Sequence, residues 1–267
     1  MRSLTQDDSH IFVRHAQIAE EIDRILDLAM QVYKTFGFSD FMARISVRDP
    51  KNPDKYMGDP KNWDRAEAAL IAAVKKRDMP HFDGEGEAAF YGPKIDIVVK
   101  DALGREWQLT TCQLDFVQPE NFTLRYIDEQ GKEDRPAVLH VAILGSVDRF
   151  MAILIEQYGG AFPLWLAPVQ TVVVPIAERH NSKAAEIMMQ LREMGIRAEV
   201  DTRSQPMQAK VRDHTLQKVP YLAIIGDTEI NSNTVSVRTR RGENLKDILL
   251  KDFQAKLVTE IETKAIS

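Results

Sequence analysis

Residues 138–150 read Val-Leu-His-Val-Ala-Ile-Leu-Gly-Ser-Val-Asp-Arg-Phe, and the first half of the chain is interpreted around them. The apolar run followed by Gly-Ser predicts a buried strand that passes into a helix. His140 and Arg149 interrupt the apolar pattern, and each needs a polar partner if it is buried. The predicted helix start also presents backbone N–H groups and a positive dipole end, so we expect an anion to bind there.

The composition is that of a folded protein without a membrane-spanning segment. Of the 267 residues, 44% are hydrophobic and 28% charged, which suits one large domain or two of ordinary size. No apolar run is long enough for a transmembrane helix, and the polar N-terminus lacks the apolar region of a signal peptide. The single cysteine, Cys112, fits a reducing, cytoplasmic location, and we expect it to be a small core residue.

The predicted N-terminal part is an α+β arrangement built on an antiparallel sheet. An apolar stripe at helical spacing predicts a helix over residues 15–36, with Gly37 as its C-terminal cap. Alternating apolar residues around an Asp-Ala-Leu-Gly turn predict an antiparallel hairpin. The other predicted elements are a strand at 41–47, a helix at 63–77, a glycine-rich loop at 83–94 and a short hairpin near 123–132.

Pro163 and Pro168 mark a predicted domain boundary, which divides the chain into domains 1–166 and 167–267. After them strands and helices alternate, which predicts an α/β domain with a mixed, mostly parallel sheet. From Ala167 onward, 15 Lys and Arg residues stand against 13 Asp and Glu, so this part carries +2 on a protein of net charge −5. That asymmetry weakly favours a polyanionic partner. The predicted strands are 171–176, 197–200, 221–225 and 234–240, and the helices are 182–194, 205–218 and 245–263.

Four motifs in order give the chain a family resemblance. They are residues 5–10 (Thr-Gln-Asp-Asp-Ser-His), 87–94 (Glu-Ala-Ala-Phe-Tyr-Gly-Pro-Lys), 113–116 (Gln-Leu-Asp-Phe) and 143–150 (Ile-Leu-Gly-Ser-Val-Asp-Arg-Phe). Together they resemble the threonyl-tRNA synthetases, which are class II enzymes. The resemblance covers the whole chain and implies a catalytic portion followed by an anticodon-binding domain. It also implies ATP, Mg²⁺ and Zn²⁺, threonine and its tRNA as substrates, and a homodimer.

By this resemblance, His10 and His140 are two zinc ligands. The family's third ligand is a cysteine in an earlier motif, and Cys112 does not match that position. Zinc with an open coordination position would let the enzyme recognise the hydroxyl that distinguishes threonine from valine. Without the resemblance, two core histidines would be the better interpretation.

The predicted threonine site combines a carboxylate with neutral polar groups. Gln6, Asp8 and His10 alternate along one predicted strand and therefore share a face. Asp8 would accept the substrate's ammonium group, and Tyr91 and Gln113 resemble residues that line the family's pocket. The alternative for Asp8 is a solvated loop carboxylate.

The predicted ATP site centres on Arg149, which matches the arginine that lies at the adenine and the γ-phosphate. A guanidinium suits both contacts because it is planar and always charged. Lys94 resembles the lysine near the reacting carboxyl group, and with Arg149 it forms the predicted catalytic pair. The alternatives are an exposed helix residue for Arg149 and a solvated lysine for Lys94. Gln108, Thr111 and Ser146 are expected to lie near the ATP.

In the C-terminal domain, the resemblance assigns Arg203, Arg212, Glu229 and Arg238 to the anticodon loop. Glu229 and Arg238 are the predicted base contacts, because single-stranded bases are recognised at their edges. A solvated helix face with paired charges is a competing interpretation for Arg212.

The chain also departs from the family pattern. We do not find the first motif, which forms the dimer interface, most of the second motif with its α-phosphate arginine, or the zinc cysteine. We therefore expect an N-terminally truncated form that is inactive in isolation, since losing such an arginine costs about 3 kcal/mol of transition-state stabilisation. The alternatives are a non-catalytic tRNA-binding or regulatory relative and, more remotely, an α/β module unrelated to tRNA.

Overall fold

The computed structural model describes residues 2–266 and divides into two compact units, Met1–Gln157 and Tyr158–Ser267. We call them the N-terminal unit and the C-terminal unit and describe each by itself. In the described residues, no helix is both long and apolar enough to cross a membrane.

A six-stranded sheet organises the N-terminal unit, with strand order β1-β8-β5-β4-β2-β3. Its pairings are antiparallel, as predicted, apart from the parallel pair β2–β3. The elements are β1 (Ser9–Val13), α1 (Ile18–Phe36), β2 (Phe41–Val47), α2 (Pro60–Lys76), β3 (His81–Glu85), β4 (Lys94–Lys100), β5 (Glu106–Asp115), α3 (Val117–Asn121), β6 (Tyr126–Ile127), β7 (Glu133–Asp134), β8 (Ala137–Ala142) and α4 (Val147–Tyr158).

Helix α1 forms as the sequence predicts. Its apolar stripe is buried from Ile18 to Tyr33, and Gly37 ends it in the left-handed conformation, at a φ of 77°. Helix α2 begins three residues before the prediction. The reason is local, because the Asp59 side chain accepts a hydrogen bond from the Lys61 N–H at 2.9 Å and Pro60 fits the first turn.

The middle of the sheet is largely apolar, with residues such as Ile95, Ile97 and Leu114 fully buried. Cys112 lies in β5 and is fully buried, and burial raises the pKa of its thiol to about 12, so the predicted core role is confirmed. Strand β3 lies where we expected part of a loop. Its residues are mostly exposed at the sheet edge, so they carry no apolar alternation that the sequence could reveal.

The C-terminal unit has a five-stranded mixed sheet with strand order β10-β9-β11-β12-β13. The neighbours β10–β9 and β9–β11 are parallel, whereas β11–β12 and β12–β13 are antiparallel. Its core packs residues such as Val173, Leu191 and Phe253 between sheet and helices. The elements are β9 (Thr171–Pro175), α5 (Asn181–Glu193), β10 (Ala198–Val200), α6 (Met207–Leu216), β11 (Tyr221–Ile225), α7 (Asp227–Ser232), β12 (Thr234–Thr239), β13 (Asn244–Leu249) and α8 (Leu250–Glu262).

The predicted helix at 245–263 is wrong in its first five residues. Residues Asn244–Leu249 instead form strand β13, which pairs with β12 and closes that edge of the sheet, and α8 starts at Leu250. The few apolar residues of this segment fit both the helical and the strand spacing, so the sequence alone does not distinguish the two. The segment becomes a strand because it pairs with the edge of β12. The short helix α7 was also not predicted.

Candidate functional site

A polar pocket of about 460 Å³ opens in the N-terminal unit beside strands β5 and β8 and the first turn of α4. Nine of the eleven site residues predicted for this part of the chain line it, and we call it the polar pocket. Those nine are Gln6, Asp8, His10, Tyr91, Gln108, Thr111, Gln113, His140 and Arg149.

The strand register explains why residues so distant in sequence meet. His140 of β8 lies opposite His10 of β1 on one side and opposite Gln113 of β5 on the other. Side chains in register on neighbouring strands point to the same face of a sheet. Gln6 forms an isolated bridge with Ser146, which extends the alternation of Gln6, Asp8 and His10 beyond the end of β1.

A buried carboxylate fixes the ring of His140. Asp115 is fully buried, and one of its oxygens lies 2.8 Å from His140 Nε2, which donates to it. The other oxygen accepts the backbone N–H groups of Val117 and Gln118 at 2.7 and 2.9 Å. Because Asp115 occupies Nε2, the nitrogen of His140 that remains for another partner is Nδ1.

The described residues do not form a complete zinc site. The His10 and His140 rings lie 4.7 Å apart between centroids in an edge-to-face arrangement. Nowhere in residues 2–266 do three or more His, Cys, Asp or Glu side chains come together in a group that could hold a metal ion. A structural or catalytic zinc ion needs at least three protein ligands, so two imidazoles do not suffice.

Tyr91 closes the pocket beside His140, with 5.5 Å between the two ring centroids. Burial, followed by the nearby carboxylates of Asp115 and Asp8, raises the pKa of Tyr91. The phenol is therefore protonated at neutral pH and available as a hydrogen-bond donor.

The segment before α4 carries no free anion site, so that prediction is wrong. Asp7 accepts the backbone N–H groups of Ile143, Leu144 and Gly145 at 2.8, 2.8 and 2.9 Å. The Val147 N–H at the helix start donates to the Thr5 carbonyl at 2.9 Å. The chain itself thus supplies both the acceptors and the negative charge that we expected from a ligand.

Arg149, by contrast, lines the polar pocket and has one unsatisfied polar atom. Its Nε is buried and has no hydrogen-bond partner in the described structure. A buried guanidinium N–H without a partner is costly, and the arginine that carries it lines the pocket. A side chain on Gly145 would lie 3.1 Å from the Arg149 guanidinium and 2.8 Å from the Leu109 carbonyl, which explains the glycine there.

The two remaining predicted residues, Lys94 and Ser146, do not line the polar pocket. Lys94 Nζ forms an ion pair with Asp96 at 2.5 Å, and its side chain is only 17% exposed. The Ser146 hydroxyl accepts the Arg149 N–H at 3.4 Å. The structure therefore places both residues beside the pocket and in contact with the chain's own groups.

Three carboxylates that support the site were not singled out from the sequence: Asp7, Asp96 and Asp115. Asp96 lies in the otherwise apolar run Ile95–Val99, and Asp115 is flanked by Leu114 and Phe116; both carboxylates are fully buried, and a buried carboxylate needs partners. That signal was available for them, whereas nothing in the sequence separates Asp7 from the neighbouring Asp8.

The predicted anticodon residues of the C-terminal unit are distributed over its surface. Arg212 and Arg238 line one groove of about 430 Å³, with the apolar side chains of Leu216 and Ile224 beside them. Arg203 lines a separate cleft of about 380 Å³. The groove combines guanidinium groups with apolar surface, which suits stacked bases next to phosphates.

Glu229, a predicted base contact, is already engaged by the protein. Its carboxylate accepts the Gly226 N–H at 3.0 Å and the Ser236 hydroxyl at 2.8 Å. Burial opposes ionisation, but these hydrogen bonds outweigh it and lower the pKa of Glu229. Any base contact by this carboxylate must therefore use its remaining lone pairs.

Two family models match the N-terminal and the C-terminal part of the chain separately. A family model for the tRNA synthetase class II core domain (G, H, P, S and T) matches residues 1–158, and a model for an anticodon binding domain matches residues 170–260. The chain belongs to the class II tRNA synthetases. In this class II chain the polar pocket lies within the core-domain match, and the Arg212–Arg238 groove lies within the anticodon-domain match.

Several similar proteins share one name. The chain is similar to the threonine–tRNA ligase of Deinococcus radiodurans, at 52% identity over 92% of the chain, and to that of Magnetococcus marinus, at 45% over its full length. It spans only 38% and 41% of those two proteins, or about two fifths of their length. A crystal structure of the RNA binding domain of threonyl-tRNA synthetase from Cryptosporidium parvum superimposes with a TM-score of 0.88 at 34% identity, covering 96% of the chain and 64% of that structure.

Proposed function

We propose that this chain is the part of a threonine–tRNA ligase that holds threonine and ATP on one unit and binds the tRNA anticodon on the other. One observation supports the catalytic part above all: nine predicted side chains from distant parts of the sequence converge on a single polar pocket. The names of the relatives support threonine as the amino acid.

Threonine would bind at the end of the pocket formed by Asp8, Tyr91 and Gln113. Asp8 is the carboxylate that lines the pocket, and it would accept the substrate's ammonium group. Gln113 donates to the Gly92 carbonyl at 3.1 Å, which orients its amide oxygen toward another donor such as the threonine hydroxyl. A site that hydrogen-bonds a hydroxyl discriminates strongly against the isosteric valine.

ATP would bind at the Arg149 end of the pocket. Its guanidinium, with the unpartnered Nε, would contact phosphate oxygens or stack on the base. The threonine carboxylate would then attack the α-phosphate, giving the adenylate and releasing pyrophosphate. Mg²⁺ would enter with the nucleotide, since it is usually held by substrate phosphates and water rather than by a protein cage.

Zinc remains a prediction, because the two histidines do not complete its ligand set. We derive no catalytic step from it. Two imidazoles should bind Zn²⁺ weakly, and calorimetric titration of the chain with ZnCl₂ checks this directly. Loss of the binding signal in the double variant His10→Ala/His140→Ala would identify the ligands.

A second candidate function is a non-catalytic tRNA-binding protein. The observation that favours it is the charge of the pocket, where Arg149 is the sole lysine or arginine among the lining residues described. Stabilising a pentacoordinate phosphate usually takes several positive groups, so these residues would bind the substrates without accelerating the reaction.

Threonine-dependent ATP–pyrophosphate exchange separates the two functions. We expect no exchange by the 267-residue chain and measurable binding of an anticodon stem-loop. Exchange above background would establish that these residues catalyse adenylation without further groups. For the RNA, equal affinity for the threonine anticodon stem-loop and a scrambled loop at moderate salt would refute specific recognition.

We further propose a homodimer for the full-length protein, a cytoplasmic location, and a functional boundary near residue 166. The single buried cysteine supports a reducing compartment. Sedimentation analysis tests the dimer, and separate expression of residues 167–267 with an RNA-binding assay tests the boundary.

A further inference from the structure

Asp96 of strand β4 lies beneath the polar pocket and is completely buried. It lies in the run Ile95–Val99, where the four remaining side chains are all apolar. A carboxylate in such a place is tolerated only if its oxygens are hydrogen-bonded and its charge is balanced.

Side chains from three strands converge on this carboxylate. Its Oδ1 accepts from Gln108 Nε2 and from the Thr111 hydroxyl, both at 2.8 Å. Its Oδ2 accepts from Arg44 at 2.8 Å and from Lys94 at 2.5 Å. The predicted catalytic lysine and two predicted ATP residues therefore share one buried partner.

The network also fixes the direction of the Gln108 amide. Its Nε2 donates to Asp96 and, at 2.9 Å, to Thr111, while its Oε1 accepts from Arg44 at 2.8 Å. Both amide hydrogens are thereby used, so Gln108 can offer a ligand only its oxygen. Thr111 is constrained in the same way, because its hydroxyl hydrogen points to Asp96.

We propose that Asp96, assisted by Arg44, is a positioning residue for the ATP end of the polar pocket. It holds Gln108 and Thr111 as hydrogen-bond acceptors toward the nucleotide and keeps Lys94 at the pocket's edge. Neither Asp96 nor Arg44 lines the pocket, so both act through their neighbours. This inference rests on the ATP site proposed above.

Another buried aspartate, outside the strands, shows what a purely structural carboxylate looks like. Asp101 follows β4 and accepts from Trp107 Nε1 at 2.7 Å, from Arg105 Nε at 2.6 Å and from the Leu103 N–H at 2.9 Å. None of these partners is a predicted site residue. Asp101→Asn is therefore a matched control for the loss of a buried, ion-paired carboxylate.

The experiment compares wild type, Asp96→Asn, Arg44→Met and Asp101→Asn in the full chain. Calorimetry measures MgATP affinity, thermal unfolding measures stability, and ¹H–¹⁵N spectra follow the side-chain amide of Gln108. We expect MgATP affinity to fall at least tenfold in Asp96→Asn and several-fold in Arg44→Met, with the Gln108 amide signals shifted in both. Asp101→Asn should lose stability but keep its affinity and its Gln108 signals.

Three results would overturn the proposal or redirect it. Unchanged affinity and unchanged Gln108 signals in a folded Asp96→Asn would refute positioning, and so would an equal loss of affinity in Asp101→Asn. If Asp96→Asn does not fold, Arg44→Met decides by the same two readouts. Wild type that binds no MgATP would refute the proposed ATP site, and the Gln108 signals alone would then decide whether Asp96 positions this side chain.

Discussion

The adjacent carboxylates Asp7 and Asp8 should respond to the same substitution in opposite ways. Asp7 accepts three backbone N–H groups of residues 143–145, whereas Asp8 is exposed and lines the polar pocket. Asp7→Ala removes all three acceptors at once and leaves the donors of a partly buried turn without partners. Asp8→Ala removes a carboxylate that stabilises nothing in the fold.

The size of the Asp7 effect follows from those bonds. Leaving one buried donor unsatisfied costs about 1–3 kcal/mol. Because the turn is partly exposed, we take about 1 kcal/mol for each of the three donors, or about 3 kcal/mol in total. For a protein of this size, that corresponds to a melting temperature lower by roughly 6–12 °C. Asp8→Ala should change stability by less than about 0.5 kcal/mol.

Differential scanning calorimetry of both variants beside wild type provides the measurement. Binding of a threonyl-adenylate analogue supplies the second readout, and there the order should reverse, with Asp8→Ala losing affinity in a fully folded protein. Equal melting temperatures for Asp7→Ala and wild type would refute the structural role of Asp7. Unchanged analogue affinity in Asp8→Ala would refute its role as the ammonium acceptor.

Two further predictions concern titratable groups. The Cys112 thiol, with its pKa raised to about 12 by burial, should not react with a thiol reagent at pH 8 until the chain unfolds; rapid labelling of native protein would contradict its core position. The pKa of Asp201 is lowered, first by Arg203 and also by His214, so its contribution to stability is present above the unfolded pKa and is lost as the pH falls through about 4 and below. Denaturant unfolding between pH 2 and 7 should therefore show a shallower acid loss in Asp201→Asn than in wild type, and parallel curves would disprove this.

The sequence predicts the helices and strands whose apolar residues recur at a regular spacing. It misses the strands that lie at the exposed edge of a sheet. Helix α1 and strand β11 are found almost residue by residue, because their apolar patterns match buried faces. Strands β3 and β13 are missed because they are exposed edge strands, which form by pairing with a neighbour already in place.

The site shows a similar division. The residues that line the polar pocket could be proposed from motifs, and the register between β1, β5 and β8 then brings them together. Among the residues that hold them, Asp96 carries a sequence signal as a carboxylate in an apolar run, whereas nothing in the sequence separates Asp7 from Asp8. Their importance lies in which donors they meet, and apart from Lys94, two residues from Asp96, those donors are 12 to 138 residues away in the chain.

The most direct test of the proposed site is calorimetric binding of two non-hydrolysable adenylate analogues, threonyl and valyl, to the 267-residue chain. This measurement does not require catalysis, and the two ligands differ by one hydroxyl group. We expect the threonyl analogue to bind and the valyl analogue to bind at least about tenfold more weakly, because the site hydrogen-bonds the hydroxyl. Equal affinities, or no binding of either analogue by folded protein, would contradict the assignment of the polar pocket to threonine and ATP.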